Sequence, residues 1–432
     1  MIPSLNHRIH VHAKREGMQR IMRTTLLLIV TAAVALSAAA FCAADSAEWT
    51  RFRGPNGSGL SDAAGIPAQW TEKDYNWKVA LPGGGHSSPV VWGDKIFVTS
   101  GNDDSAKRIV LCLRASDGGT LWKREFDSKT CSQNNLNSYA TPTPAVDKDY
   151  VFVCWAVPEK YTVLALDHEG HDVWQRDLGP FVSQHGHGAS VIVYEDLVIV
   201  PNDQDGKSFI AALDRRTGAT RWQAERRSTK AAYSTPCVFQ PAGGPAELIF
   251  AGMAHGFTSL DPKTGKVNWE VADAFPKRVV ASPVVAGGLI LGQCGEGSAG
   301  QHVIVLRPGA SGPPQVAWKV TKSAPYVPMP LVKGDLTFLW TETGTVICVR
   351  TATGEEVWRE KVGGNYYASP VCVGDRIYTV STKGEVVVIA AADKYQLLAR
   401  NPLGEKCLAT PAIAGGRMFL RTYSHLISIG GK

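Results

Sequence analysis

The sequence lacks paired cysteines. Its nine cysteines are widely separated, with no C-x-x-C motif and no two side by side. Most of them lie in apolar, strand-like words such as VLCL (110–113) and VICV (346–349). Disulfide frameworks and cysteine metal sites need closer or paired spacings. We therefore interpret these cysteines as small core residues rather than as crosslinks or ligands.

Long hydrophobic runs are also scarce. The longest, LLLIVTAAVALSAAAF (26–41), follows Arg20 and Arg23 and ends before the small residues 42–44. It is shorter than the roughly 20 residues of a membrane-spanning helix. The layout predicts a cleaved signal peptide over residues 1–44, hence a secreted or periplasmic protein with no membrane span. Acylation of Cys42 is less favoured, because the bulky Phe41 precedes it.

Basic runs are absent after the leader. The formal net charge is +6, and residues 1–44 carry most of it. A nucleic-acid-binding surface needs clustered Lys and Arg. We therefore expect no nucleic-acid partner.

What the chain has in abundance is a repeated word. Ser/Thr-Pro or its equivalent is followed by alternating apolar residues, a Gly-Asp or Gly-Gly turn and a second β-branched run, as in SSPVVWGDKIFVTS (87–100). These are hairpin signals, and no segment of helical periodicity competes with them after the leader. Units of 40 to 50 residues with four strands are typical of a β-propeller. The eight anchors predict an all-β, eight-bladed propeller over residues 70–430, after a lead-in segment at 45–69. They are Pro89, Pro142, Ala189, Pro236, Pro283, Met329, Pro370 and Pro411.

A second word, D-x-x-T-G-x-x-x-W, ends the repeat, as in DRRTGATRW (214–222). A tryptophan at one position per repeat suits an aromatic ring wedged between neighbouring sheets. Trp77 lies twelve residues before Pro89, the same step as from Trp358 to Pro370. The N-terminal strand is thus expected to complete the last blade and leave no open edge. The predicted docking residues are Trp77, Trp122, Trp174, Trp222, Trp269, Trp318 and Trp358.

Candidate ligand-binding residues precede the anchors. Three residues before each anchor, the chain should enter the innermost strand at one mouth of the central channel, where concave sites form. The polar residues there, together with His187 of HGH (185–187), form a predicted ring of His86, Tyr139, His187, Tyr233, Tyr326 and Tyr367. The alternative is that each tyrosine packs between blades with its hydroxyl on a backbone carbonyl.

Three other motifs give weaker indications of a functional site. His185 and His187 with Asp203 and Asp205 have ligand-type side chains, but a loop histidine pair beside a self-capped turn explains them as well, and no metal site is assigned. The amide-rich loop CSQNNLNSY (131–139) either overhangs the channel mouth or is solvated. GEGSAG (295–300) is a hairpin loop rather than a dinucleotide motif, because a strand follows it.

The D-x-x-T-G-x-x-x-W words resemble those of the pyrroloquinoline quinone (PQQ) dehydrogenase-like propellers, a family that includes the barrel-assembly lipoprotein of bacterial outer membranes. The likeness covers about residues 70–430. The opening WTRFRGPNGSGLS (49–61) resembles the lead-in of secreted PQQ-like propellers. The resemblance implies the architecture of a β-propeller.

The dehydrogenases of that family cap the quinone with a disulfide between adjacent cysteines and hold it with a calcium site. This chain has no adjacent cysteines to match, so no cofactor residue is transferred and no cofactor is expected. We predict a monomeric binding or scaffold module of the cell envelope, with a protein or a small ligand as partner and no catalytic residue assigned. The alternative is a quinoprotein dehydrogenase that uses PQQ and calcium in an atypical pocket.

Overall fold

Strands account for nearly all the regular structure in residues 48–297, 299–309 and 312–431, which the computed structural model describes. The predicted leader lies outside these residues. The strands form eight sheets, each with four antiparallel strands as its frame. We number them as blades 1 to 8 by the order of their innermost strands in the sequence. Short 3-10 turns occur at Pro55–Gly57, Glu72–Asp74 and Ala272–Ala274. No helix in the described ranges has the length and hydropathy to cross a membrane.

The blades are listed here from the innermost strand outward. Blades 1 to 4 consist of Val90–Trp92, Lys95–Gly101, Arg108–Arg114 and Thr120–Phe126; Ala145–Val146, Tyr150–Val157, Lys160–Asp167 and Asp172–Asp177; Ile192–Tyr194, Leu197–Asn202, Ser208–Asp214 and Thr220–Arg226; and Cys237–Phe239, Glu247–Gly252, Gly256–Leu260 and Val267–Val271. Blades 5 to 8 consist of Val284–Ala286, Leu289–Glu296, Ala299–Arg307 and Gln315–Val320; Leu331–Lys333, Leu336–Trp340, Thr345–Arg350 and Glu356–Lys361; Val371–Val373, Arg376–Val380, Glu385–Ala390 and Leu397–Pro402; and Ala412–Ala414, Arg417–Arg421, His425–Gly430 and Trp77–Ala80.

Burial follows the position of each strand in its blade. The middle strands, such as Arg108–Arg114, are buried on both faces because each sheet packs between two others, which explains their continuous apolar runs. The outermost strands, such as Thr120–Phe126, are exposed along much of their length. The short innermost strands of neighbouring blades approach one another, and Ala412–Ala414 meets Val90–Trp92. The apolar core therefore lies between blades, and the ring is closed.

The innermost strands are tied together by a ring of hydroxyl groups. In six of the eight blades, the residue just before the proline or valine that leads into the innermost strand donates its backbone N–H to the Ser or Thr hydroxyl at the same position of the next blade. The donor–acceptor pairs are Ser88–Thr143 (3.0 Å), Thr143–Ser190 (2.9 Å), Ser190–Thr235 (3.3 Å), Thr235–Ser282 (2.8 Å), Met329–Ser369 (3.1 Å) and Ser369–Thr410 (3.0 Å).

This ring corrects the repeat register in three blades. Blades 2, 3 and 6 are anchored at Pro144, Val191 and Pro330, not at Pro142, Ala189 and Met329. In blade 2 the word TPTP offers two Thr-Pro pairs, and the second one carries the hydroxyl that joins the ring. Sequence spacing alone does not distinguish the two pairs.

Most of the repeated tryptophans dock on the next blade. Trp174 donates its indole N–H to the carbonyl of Arg215 (2.9 Å) and lies over Gly218. That glycine has a φ of +70°, and a Cβ on it would come within 2.7 Å of the indole, so the D-x-x-T-G turn needs glycine there. Equivalent indole bonds join Trp77 to Ala115 (3.1 Å), Trp122 to His168 (2.9 Å), Trp222 to Pro262 (2.8 Å), Trp318 to Thr351 (2.9 Å) and Trp358 to Ala392 (3.0 Å).

Trp269 is the exception. Its indole N–H bonds the carboxylate of Glu247 in its own blade (2.8 Å). Blade 5, which follows it, has Arg307-Pro308-Gly309 in place of the D-x-x-T-G word, so the usual carbonyl and glycine platform is not offered. Trp269 therefore packs against the core shared by blades 4 and 5 without the indole bond to the next blade.

The N-terminal strand completes blade 8. Trp77–Ala80 pairs antiparallel with His425–Gly430, so that Trp77 lies opposite Ser428. Arg421 of blade 8 is buried and donates to the Ser87 carbonyl (3.0 Å), the Ser87 hydroxyl (2.5 Å) and the Thr99 carbonyl (2.6 Å) of blade 1. Strand pairing and this guanidinium both join the two ends of the ring.

The lead-in segment crosses one end of the channel. Glu48–Trp49 pairs with the innermost strand of blade 1, and Leu60–Ser61 pairs in parallel with that of blade 7. Between them, the Asn56 side chain bonds the carbonyl (2.7 Å) and the N–H (2.8 Å) of Val238 in blade 4. The segment thus spans opposite sides of the ring and closes this end.

Two buried arginines fasten the lead-in. Arg53 donates to the Pro370 carbonyl through Nε (3.1 Å) and Nη2 (2.9 Å), and Arg51 donates to the Pro236 carbonyl (2.5 Å). Burial lowers the pKa of Arg53 to about 9 and that of Arg51 to about 10. Both guanidiniums satisfy inner-strand carbonyls that the sheets leave unpaired.

Trp222→Ala is expected to lower the free energy of unfolding by about 3 to 5 kcal/mol, because it empties a buried aromatic site between two blades. Trp269→Ala is the matched control, since this ring is half-buried and lacks the docking bond. Measured by urea denaturation, the loss of unfolding free energy in Trp269→Ala should be less than half of that in Trp222→Ala. Equal losses would show that docking on the next blade contributes nothing specific.

Deleting residues 70–81 removes the outermost strand of blade 8 and exposes the edge of His425–Gly430. We expect soluble aggregates and a lower melting temperature, because an unpaired strand edge recruits other chains. Size-exclusion chromatography and thermal denaturation check this. A monomer with unchanged melting would mean that the ring is closed elsewhere.

Candidate functional site

The centre of the propeller contains a cavity of about 920 Å³. Phe52 of the lead-in faces it from the closed end. Every blade contributes the residue that lies three positions before its anchor in the corrected register. These residues are His86, Thr141, Gly188, Tyr233, Val280, Val327, Tyr367 and Leu408. The cavity is therefore a blind pocket along the propeller axis, of the size that small-molecule sites usually have.

The structure brings four of the six predicted ring residues to this cavity. His86, Tyr233, Tyr326 and Tyr367 line it. Tyr326 was selected in the wrong register, but it precedes the true wall residue, Val327, and also reaches the cavity. Burial lowers the pKa of His86 to about 3, with Arg421 and Lys406 adding to the effect, so this imidazole is neutral.

Tyr139 does not line the cavity, because the corrected register puts Thr141 in its place. Its ring lies under the Arg108 guanidinium, 4.3 Å from the centroid. Its hydroxyl accepts from the backbone N–H of Cys131 (3.1 Å) and bonds the carbonyl of the same residue (3.3 Å). Tyr139 therefore has the alternative role, in which the ring packs between blades and the hydroxyl bonds a backbone carbonyl.

His187 is also absent from the cavity wall. Its ring packs 4.6 Å from Tyr161 and 5.0 Å from Phe181, and neither ring nitrogen has a hydrogen-bond partner. Burial, and then the charge of Arg108, lowers its pKa from 6.5 to about 3. It is a neutral core residue. Its neighbour His185 lines the cavity instead.

The acidic residues near this histidine pair have structural partners. Asp203 forms an ion pair with Arg226 (2.6 Å), and Asp205 accepts from the backbone N–H groups of Ala231 (2.6 Å) and Gln184 (3.0 Å). Within residues 48–297, 299–309 and 312–431, no group of three or more His, Cys, Asp or Glu side chains is arranged to hold a metal ion.

An unpaired guanidinium lies in the cavity wall. Arg278 is only 4% exposed, and its Nη2 donates to the Gln184 side-chain oxygen (3.2 Å). Its Nε is buried without a partner. No carboxylate of the described residues lies within 4.0 Å of its nitrogens. Burying a cation without a counter-ion is energetically costly.

A buried carboxylate lies in the same wall. Glu342 Oε1 accepts from the backbone N–H groups of Tyr326 (2.7 Å) and Val327 (2.5 Å). Burial raises the pKa of Glu342 despite these bonds. Glu296, the other acid that lines the cavity, is paired with Lys230 and with Lys277 (3.5 Å).

Three tyrosines complete the wall. The Tyr233 hydroxyl bonds that of Ser183 (3.0 Å). The hydroxyls of Tyr326 and Tyr367 have no hydrogen-bond partner within the described part of the chain, and burial raises the pKa of both. Each therefore carries its proton and is available as a donor to a ligand.

Sequence reasoning missed Arg278, Glu342 and Gln184. Arg278 lies two residues before Val280 of the wall, and Glu342 occupies the hairpin turn TETG (341–344) of blade 6. A search of the hairpin turns and entry segments of every blade, rather than of one repeat position, would have included them.

A family model described as outer membrane protein assembly factor BamB matches residues 68–236, 207–306, 309–397 and 342–429. These ranges cover most of the propeller. The chain belongs to this family. No curated protein matches it by sequence.

Several solved structures share the fold of this chain. BamB from Moraxella catarrhalis is 17% identical, with a TM-score of 0.59 over 81% of this chain and 95% of that one. The quinohemoprotein alcohol dehydrogenase from Comamonas testosteroni is 12% identical, with a TM-score of 0.63 over 90% of this chain and 81% of that one. Sqt1 from Saccharomyces cerevisiae is 8% identical, with a TM-score of 0.62 over 83% and 98%. At these identities the likeness concerns the fold.

The cavity wall of this BamB-like chain offers two carboxylates, Glu296 and Glu342. The eight cysteines of the described residues are free, and none lines the cavity. Calcium takes six to eight oxygen ligands, usually with several carboxylates. Here Glu342 is held by backbone amides and Glu296 by two lysines. Both carboxylates of the wall therefore already have partners within the chain.

His187→Phe is expected to flatten the acid side of the stability profile. The folded-state pKa of about 3 lies below the ordinary 6.5, so the stabilisation is complete above pH 6.5 and is lost as the pH falls towards 3. Between pH 7.5 and pH 5 the variant should lose about 2 kcal/mol less of its unfolding free energy than the wild type. Urea denaturation at both pH values measures this.

His171→Phe is the control, because that side chain is 79% exposed. It should keep most of the wild-type pH slope. The same slope in His187→Phe and wild type would contradict a neutral, buried imidazole at position 187.

Proposed function

We propose that this chain is a secreted or periplasmic binding propeller of the cell envelope that takes a small polar ligand in its central cavity and carries out no redox reaction on it. The observation that carries the proposal is the blind cavity of about 920 Å³. Phe52 and the lead-in close one end, so a ligand enters only from the mouth formed by the hairpin turns. A site of this kind encloses a small molecule on several sides.

The cavity wall supports binding rather than catalysis. It offers neutral donors at Tyr326 and Tyr367, a neutral imidazole at His86, and two cations without an ion pair, the buried Arg278 and the exposed Lys361. No side chain in it is placed as a nucleophile beside a general base, which hydrolysis or group transfer would need. Binding groups without an activated partner recognise a ligand and leave it unchanged.

A protein partner is the second candidate. The family is described as an assembly factor, and an assembly factor acts on other proteins. The outermost strands of the blades provide exposed surface around the whole ring, away from the cavity. A module of this shape can hold a small ligand and a protein at once.

The test has a redox arm and a binding arm. With added PQQ and calcium, the mature protein should reduce no dye in the presence of alcohols or sugars, while a quinohemoprotein alcohol dehydrogenase assayed in parallel does. In a thermal-shift panel of sugars, sugar acids and amino acids, at least one class should raise the melting temperature. Leu408→Trp, which fills the cavity, should abolish that shift.

Saturable dye reduction that is lost in Tyr233→Ala combined with Tyr367→Ala would replace the binding module by a quinoprotein dehydrogenase. A panel in which no compound shifts the wild-type melting temperature would exclude the small-ligand function. Shifts that persist in Leu408→Trp would place the binding site outside the cavity.

A further inference from the structure

We propose that Arg278 is the charge anchor for a small hydroxylated carboxylate, the chemistry of a sugar acid, bound in the central cavity. This inference rests on the proposed binding function and specifies its ligand class. The first ground is the state of Arg278 itself. It is 96% removed from solvent and makes one side-chain hydrogen bond, to Gln184 (3.2 Å).

Burying a guanidinium normally requires a counter-ion or bonds to most of its five N–H groups. Some other buried arginines of this protein meet that requirement, whereas Arg51 and Arg108 make one hydrogen bond each and leave Nε unpartnered, but neither of these lines the cavity. Arg421 donates to four oxygens of Ser87, Thr99 and Ser100, and Arg53 donates to two backbone carbonyls. Among the buried arginines of the described residues, Arg278 is the one that lines the cavity, and it does so without an ion pair. An anion that enters the cavity supplies what is missing.

The neighbouring acids do not compete for that charge. Glu342 Oε1 is already held by two backbone N–H groups, and burial favours its protonated form. Glu296 is paired with Lys230 and Lys277. The counter-ion of Arg278 must therefore come from outside the chain.

The surroundings of Arg278 favour hydroxyl groups on the same ligand. Tyr233 and Tyr326 line the same cavity as Arg278. The unbonded hydroxyls of Tyr326 and Tyr367 and the amides of Gln184 and Gln301 are all in the wall. Hydroxyl and amide groups bond sugar hydroxyls, while tyrosine rings pack on the C–H face of a pyranose. A guanidinium binds a carboxylate through two parallel bonds.

Isothermal titration tests this with D-galacturonate, its methyl ester and D-galactose, which share one ring and differ in charge. The wild type should bind galacturonate at least about tenfold more tightly than either neutral compound, since a charge-assisted pair is lost in both. Arg278→Gln should reduce galacturonate affinity to that of galactose. Arg350→Gln is the control, because it removes an exposed arginine paired with Asp335 on blade 6, and it should bind as the wild type does.

The comparison of the three compounds on the wild type needs no variant, so it decides the question even if Arg278→Gln does not fold. Equal affinity for all three would overturn the anchor while leaving a small-ligand propeller in place. Absence of binding by all three would overturn the sugar-acid class. Galacturonate binding that Arg278→Gln leaves unchanged in a folded protein would show that another cation holds the carboxylate.

Discussion

The indole of one blade docking on the turn of the next is the contact on which the rest of this structure depends. A four-stranded sheet with two apolar faces is insoluble by itself, and it becomes stable only when both faces are covered. The N–H bond from Trp174 to Arg215 and the stacking on Gly218 fix both the distance and the rotation between two blades. Because this geometry recurs around the ring, the innermost strands converge at equivalent heights. Their entry residues then form a continuous wall.

A ring of eight blades would by itself leave an open channel, and the lead-in turns it into a blind cavity. The segment has no sheet of its own and borrows inner-strand edges from blades 1 and 7. Arg51 and Arg53 reach carbonyls that such edges leave free. The cost of burying two guanidiniums is offset by these bonds, and the result is a fixed floor that carries Phe52. The cavity is thus a product of the whole ring and the plug together.

The sequence was sufficient for the fold and only in part for the site. The repeated D-x-x-T-G-x-x-x-W word reports a local turn and a local docking contact, so it predicts blades, their number and the closing strand at Trp77. Tyr139 was misplaced because TPTP contains two equivalent anchors, and only the inter-blade hydroxyl bond selects Thr143. His187 was misjudged because the burial that makes it neutral comes from the rings of Tyr161 and Phe181, and the repeat pattern does not reveal that they pack around it. Arg278 and Glu342 do not belong to the repeat pattern, so the pattern could not reveal them.

Two positions of the ring depart from the repeat pattern, and both lie close in sequence to the cavity residues that the pattern did not reveal. Blade 5 lacks the D-x-x-T-G platform for Trp269, and Met329 offers no hydroxyl to continue the inner ring from blade 5 to blade 6. Arg278 lies in the segment that enters blade 5, between those two irregularities. A buried arginine at a position bound by the repeat must bond to the neighbouring blade, as Arg421 does through Ser87 and Thr99. Where the repeat constraint is relaxed, a charged side chain can face the cavity without breaking the ring. Because leaving that charge unpaired raises the free energy of the empty protein, an anion that enters the cavity and pairs with it is bound more tightly.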